Sequence, residues 1–289
     1  MKKVTKAVIP VAGYGTRFLP VSKAIPKEML PLVDKPIIQF IIEEMVASGI
    51  EEVVLVTSQN KRVIEDYFDR SFELEYRLEQ AGKTAQRDMV QKMSELIKVV
   101  SVRQTEIIGN GHALLQAKEV IGDEPFAFAY GDDVIMSDVP VIQQMIDAYH
   151  KTGTTIVGVK QGTDFDTTRY GVVDGEPTDD PTIHKIKRIL EKPGPDSLSS
   201  RLVTTGRFVF TPEIFSFLEQ VKPGKGGEIW LNDALDFMLH NHTAHSKTYD
   251  GIYFDCGNKL EFAKAFLHVA LRHADIKDDF AEVLKHSST

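Results

Sequence analysis

The chain has 289 residues, 42% hydrophobic and 26% charged, with a net charge of −8 and a single cysteine, Cys256. That length buries a sizeable core, while the acidic balance argues against a general nucleic-acid binder, because phosphate backbones need a basic face. One cysteine forms no internal disulfide, and no stretch approaches the roughly 18 apolar residues of a membrane helix, so a soluble cytoplasmic protein without membrane or nucleic-acid partners is expected.

Apolar runs alternate with helical patterns through the first half, the pattern of a mostly parallel sheet flanked by helices. Ala7 to Val11 reads as a strand, Ile37 to Ser48 as a helix begun by Pro36 and stopped at Gly49, and Val53 to Val56 as a second buried strand. Arg62 to Phe68 is a short helix, and the polar stretch from Glu73 to Lys98 reads as one or two exposed helices. A strand follows at Val99 to Arg103, a helix at His112 to Val120, and a strand at Phe126 to Tyr130 that ends in Gly131-Asp132-Asp133. Asp138 is predicted to cap a helix to His150. After Gly153 come strands at Thr154 to Val159, Gly171 to Val173, Ile183 to Leu190 and Thr204 to Phe210. Helices are expected from Thr211-Pro212 to Gln220, over Ile229 to Leu239, and over Leu260 to Arg272. No repeat or flexible linker divides the chain. One α/β catalytic domain over 1–289 is the reading: 1–150 mainly for a nucleotide, 151–259 mainly for its co-substrate, and 260–289 a C-terminal helical segment.

Gly13 and Gly15 stand where the first strand turns, and glycines there let backbone N–H groups approach an anion. A dinucleotide-binding loop fits poorly. Phe18 replaces the third glycine, Pro20 interrupts the helix, and the second strand ends in Thr57-Ser58 without the acidic ribose ligand. A Walker loop fails as well, because Gly224-Lys225 is not followed by Ser or Thr. Arg17, Lys23 and Lys27 follow within a few residues, interleaved with Pro20, Pro26 and Pro31. The prolines keep this segment irregular, so its cations can fold over a polyphosphate.

Gly13-Tyr14-Gly15-Thr16-Arg17-Phe18-Leu19-Pro20, Lys27-Glu28-Met29-Leu30-Pro31 and Asp34-Lys35-Pro36 together resemble the signature of the sugar-nucleotide pyrophosphorylase family. The resemblance implies a Rossmann-like nucleotidyltransferase fold with a mostly parallel mixed sheet and small inserted sugar-binding and C-terminal helical parts. It also implies that Ala12 and Gly13 meet the base, with Gly15, Thr16 and Glu28 in the nucleotide site. Arg17 and Lys27 would hold the triphosphate and act in catalysis.

Four stations downstream extend the resemblance to about residue 265. Gln104, after the strand at Val99 to Arg103, carries an amide that can both donate to and accept from a pyrimidine's imide edge, and Gly109 lets a base lie close to the backbone. Asp132 and Asp133 stand at a strand's carboxyl end, where α/β sheets bind ligands, and offer hard oxygens to Mg²⁺. The family pattern pairs Asp132 with Asp255 on the metal and leaves Asp133 outside the coordination. Tyr170-Gly171-Val172 and Glu191-Lys192-Pro193 match its sugar-phosphate contacts, with Glu191 accepting from hydroxyls and Lys192 facing the phosphate. Gly206 lies in the matching sugar-binding strand. Alone, Gln104 reads as a surface residue and Glu191-Lys192-Pro193 as a charged strand end; the order of all the pieces carries the argument.

What the resemblance implies is uridylyl transfer from UTP to glucose 1-phosphate with Mg²⁺, giving UDP-glucose and pyrophosphate, in a homodimer or homotetramer. The rival readings are a dTTP-dependent thymidylyltransferase, since uracil and thymine share the imide edge, and a catalytically silent NDP-sugar sensor. Phosphate monoesters lose their second proton near pH 6, so the sugar phosphate is already a nucleophile and no general base or cysteine is required. Cys256 reads as a packing residue.

Overall fold

The computed structural model describes residues 1–286. Its N-terminal half alternates strands and helices: β1 (Lys6–Pro10), a two-residue hairpin β2 (Pro31–Leu32) and β3 (Lys35–Pro36), α1 (Ile37–Ala47), β4 (Glu52–Thr57) and α2 (Arg62–Phe68). The exposed stretch resolves into α3 (Phe72–Gln80) and α4 (Thr84–Ser94), followed by β5 (Lys98–Arg103). Next come α5 (Asn110–Leu115), α6 (Lys118–Ile121), β6 (Phe126–Ala129), β7 (Asp133–Met136) and α7 (Val141–Thr152). The second half contains β8 (Thr155–Gln161), β9 (Gly171–Pro177), β10 (Ile183–Glu191) and β11 (Leu202–Phe210), then α8 (Ile214–Leu218) and α9 (Leu231–Met238). It closes with β12 (Ala244–Thr248), β13 (Ile252–Asp255), α10 (Lys259–Ala270) and α11 (Lys277–His286). The last three residues of the predicted helical segment 260–289 lie outside the described residues.

Nine strands form one mixed sheet in the order β5-β4-β1-β6-β11-β8-β12-β10-β9. β5, β4, β1 and β6 run parallel. β11 enters antiparallel between β6 and β8, and its first residues also pair with β9. The central strands alternate between two buried layers. Ala7, Ile9, Val53 and Leu55 face one core, and Val8, Val54, Val56 and Phe128 face the other. Strands covered on both faces read as continuous apolar runs, which is why they were visible in the sequence. Phe208 and Phe210 stack at 5.2 Å, and Phe126 stacks on Phe215 at 5.3 Å. Each such buried side chain contributes roughly 1.5–3 kcal/mol relative to exposure.

Three local expectations needed correction. The residue before α7 is Pro140, with no side-chain cap, so Asp138 does not cap that helix. The helix predicted over His112 to Val120 is two short ones, α5 and α6, broken at Gln116 and Ala117. β7, β12 and β13 were not anticipated. Ala244–Thr248 is polar and lacks a clear apolar alternation, and becomes a strand by pairing in parallel with β8 and antiparallel with β10.

Candidate active site

The carboxyl ends of β1, β4, β5 and β6 open onto the site, where parallel α/β sheets place their ligands. Beyond β1, Val11 N–H still bonds the Val56 carbonyl at 2.9 Å, and Ser58 Oγ donates to the Ala12 carbonyl at 2.7 Å. Gly15 then takes the left-handed conformation, φ 64°, and the proline-punctuated segment folds as three short 3-10 turns, Thr16–Phe18, Val21–Lys23 and Lys27–Met29. These turns bring the stem of Lys27 back against the loop, 3.4 Å from where a Cβ on Gly15 would lie. Ala12, Tyr14, Thr16 and Gln104 line a cavity of about 510 Å³ that also receives Lys23 and Lys61. Gly13 leaves open space beside the same loop. Glu28 is buried with its Oε2 2.9 Å from Lys61 Nζ, and it lies on neither cavity wall described here. Burial pushes its carboxyl pKa up, against the opposing pull of Lys27 and Lys61.

Asp132 receives Lys27 Nζ at 2.5 Å. Burial alone would push the Lys27 pKa down, but the charges of Asp132 and Glu28 outweigh it and hold the ammonium protonated far above neutral pH. β13 runs antiparallel to β7 and sets Asp255 opposite Asp133, while Cys256 N–H bonds the Asp132 carbonyl at 2.9 Å. Residues more than a hundred positions apart thereby converge. A Cβ on Gly257 would collide with Asp132 Oδ2 and come within 3.0 Å of Asp255 Oδ1, so a glycine is required where the two carboxylates close in. Arg169 Nη2 reaches Asp255 Oδ2 at 2.8 Å, and Tyr170 OH donates to the same oxygen at 3.1 Å. Asp133 is buried, and burial together with the charges of Asp132 and Asp255 raises its pKa well above the carboxylate range.

This donor set fits a hard divalent cation that also takes phosphate oxygens. Mg²⁺ commonly uses one or two carboxylates and leaves its other positions to phosphates and water. Asp132 and Asp255 would be those two, and no group of three or more His, Cys, Asp or Glu side chains suited to a metal occurs among the described residues. Cys256 beside them is buried, and burial and the surrounding carboxylates push its thiol pKa up, away from nucleophilic use.

Arg17, Gly171, Glu191, Lys192 and Gly206 line a second cavity of about 300 Å³ together with Asp132 and Asp255. The two cavities share the glycine loop: Thr16 faces the first and Arg17 the second. Gly109 lies beside the first through its carbonyl, which accepts from Gln104 Nε2 at 3.2 Å. Glu191 accepts from Asn232 Nδ2 at 2.6 Å and forms an ion pair with Lys192 Nζ at 3.0 Å. Lys192 holds φ 45°, unusual outside glycine, and its ammonium sits 4.3 Å from the Trp230 ring centroid.

Sequence reasoning missed Arg169, Asn232, Trp230 and Arg207. Arg207 is fully buried, pairs with Glu44 at 2.8 Å and donates to the Asp133 carbonyl at 2.8 Å. A charge directly before the apolar run Phe208-Val209-Phe210, on the same strand, was the available signal. Trp230 and Asn232 fall in the stretch Gly227 to Ala234, which resembles the family's helix entry, but nothing in the sequence assigned either side chain a role at the site.

Comparison with known proteins accords with this geometry. The family model described as nucleotidyl transferase matches residues 6–271. A UTP–glucose-1-phosphate uridylyltransferase of Bacillus subtilis (strain 168) is 45% identical over 285 residues, covering 99% of this chain and 97% of the relative. A UTP-bound UGPase of Acinetobacter baumannii superposes with a TM-score of 0.88 at 37% identity, over 98% of this chain and 99% of that one. A UDP-glucose pyrophosphorylase complexed with UDP-glucose gives a TM-score of 0.84 at 36% identity, over 94% of this chain and all (100%) of that one. The chain is a member of the nucleotidyl transferase family.

Proposed function

We propose that the chain transfers the uridylyl group of UTP to α-D-glucose 1-phosphate, releasing pyrophosphate and forming UDP-glucose. The observation that carries this reading is the convergence of Lys27, Asp132 and Asp255 where two cavities meet across one glycine loop. The likeness to uridylyltransferases along almost the whole chain supports the choice of substrates. UTP takes the larger cavity, with Ala12, Gly13, Gly15, Thr16, Gln104 and Gly109 around the nucleoside, and Glu28 steadies Lys61 from beneath. Glucose 1-phosphate takes the smaller one, its hydroxyls facing Gly171, Glu191 and Gly206.

The sugar phosphate oxygen attacks the α-phosphorus in line, and pyrophosphate leaves. Lys192 aims the attacking phosphate, while Arg17 and Lys27 stabilise the charge that builds on the transferred group. Mg²⁺ held by Asp132 and Asp255 supplies further charge neutralisation when bound. One phosphoanhydride replaces another, so the reaction runs in both directions.

The nine-stranded sheet continues through 1–150 and 151–259, which favours one catalytic domain with shared parts over two independent ones. No helix among the described residues is long and apolar enough to cross a membrane. A cytoplasmic homodimer or homotetramer is the state we assign, and light scattering on the purified protein tests it.

Pyrophosphate release measured across UTP, dTTP, CTP and ATP with several sugar 1-phosphates and Mg²⁺ is expected to peak for UTP with glucose 1-phosphate. A peak with dTTP would make the chain a thymidylyltransferase, and release with no pair would leave a silent NDP-sugar sensor. Trp230 is the chain's only tryptophan. Glucose 1-phosphate added without UTP is therefore expected to change tryptophan emission as Lys192 leaves the indole ring, and Lys192→Met is expected to abolish the response. A response that survives Lys192→Met would detach Lys192 from the phosphate.

A further inference from the structure

Gln104 follows β5, its backbone N–H bonds the Thr57 carbonyl at 2.8 Å, and only 3% of the residue is exposed, on the wall of the larger cavity. One end of its side-chain amide faces two groups, the Gly109 carbonyl at 3.2 Å and His112 Nδ1 at 3.1 Å. A carbonyl oxygen only accepts, so that end is the NH₂, and Nδ1 accepts its second hydrogen. The ring proton then sits on Nε2, and the half-buried Gln116, whose amide nitrogen lies 3.1 Å from Nε2 and 3.2 Å from the His112 carbonyl, is the side chain that swings away, because the buried Gln104 has no room to do so. Gln104 Oε1 accepts no hydrogen bond among the described residues, and it is the end of the amide that remains for a ligand.

The Gly109 carbonyl is fixed by its own backbone, which decides the direction of the Gln104 amide and hence Nδ1 as the acceptor. Gly109 has φ 111°, and a Cβ there would collide with the Ile229 carbonyl. Ile229 is itself clamped, its N–H on the Ile108 carbonyl at 2.8 Å and its carbonyl on Gly111 N–H at 2.9 Å. Turning the Gln104 amide over would press its oxygen against two acceptors at once, the Gly109 carbonyl and the Nδ1 lone pair. Burial makes such an unpaired arrangement costly.

We propose that His112 is a positioning residue that locks Gln104 with its acceptor toward the base, and so selects uracil or thymine against cytosine. Uracil carries a hydrogen on N3, which Oε1 accepts; cytosine presents a lone pair there. A free glutamine would serve either base by rotating its amide, and His112 with Gly109 removes that freedom. The inference rests on the uridylyl reading of this cavity and extends it to the choice of base.

The test is the ratio of kcat/KM for UTP over CTP, with glucose 1-phosphate saturating, in the unaltered chain, His112→Leu and His112→Asn. His112→Leu is expected to lower the ratio about 10–100-fold, chiefly through the triphosphate KM, with CTP use rising in absolute terms. His112→Asn can offer Gln104 an acceptor near the place of Nδ1 and is expected to recover much of the selectivity. Equal losses for UTP and CTP in His112→Leu, or no difference between Leu and Asn, would make His112 a packing residue and overturn the proposal. Calorimetric binding of UTP and CTP reads the same ratio without turnover. A chain that binds both but transfers neither would sink the uridylyl reading while still deciding the base filter.

Discussion

Asp132→Asn is expected to lower kcat about 10²–10³-fold, the loss typical of removing one preorganised charge-stabilising group, while UTP binding measured by calorimetry changes by less than about tenfold. The substitution keeps the shape of the side chain. It removes the charge that Lys27 contacts at 2.5 Å and one of the two carboxylates that close on Gly257. Lys27 loses the first of the charges that sustain its protonation and the partner that fixes its direction. Lys27→Ala should give a loss of similar size, and the double variant should lose much less than the product of the two, because both act on the same oxygens. Turnover within about threefold of the unaltered chain in Asp132→Asn would remove this carboxylate from the reaction.

Arg207→Met is expected to cost about 3–5 kcal/mol of stability, read by urea unfolding, because it leaves the Glu44 carboxylate, only 9% exposed, without its partner. The guanidinium is fully buried and contacts Glu44 through both Nε and Nη2. Adding Glu44→Leu should restore part of the loss, since an apolar pair carries no uncompensated charge but gives up the bond that Glu44 Oε1 accepts from Ile142 N–H at 3.0 Å. Activity should fall in the double variant even as stability partly returns. Arg207 Nη2 also donates to the Asp133 carbonyl, next to the carboxylate that Lys27 engages, and no methionine replaces that bond. A double variant with full activity would make Arg207 purely a stability residue.

Much of this site was legible because its chemistry is written locally. Arg17 and Lys27 follow the glycine turn within a short proline-rich stretch, and Asp132 ends a strand whose apolar run is unmistakable. Gln104, which alone reads as a surface residue, was placed by the resemblance only, and it is buried because the strand end before it is covered. The pairs that hold these groups in place were not legible. Arg169 meets Asp255, Arg207 meets Glu44 and Lys61 meets Glu28 only because separate elements pack together, and no local pattern encodes such meetings. The same holds for β13, whose four residues become a strand because β7 lies alongside. Asp138 failed for a smaller reason: an acidic residue two positions before a proline suggested a cap, but Pro140 itself occupies the position before the first turn.

The ion pairs of the resting site have a consequence for how it fills. Lys27 already rests on Asp132 and Arg169 on Asp255, while Lys192 divides itself between Glu191 and an indole face. The cleft therefore does not wait as a bare basic trough. Each of these three cations has a resident counterpart, and an arriving phosphate must win it by exchange. Association becomes a trade of partners rather than an accumulation of attraction, so substrate affinity should respond to added salt less steeply than the number of lysines and arginines in the cleft would suggest.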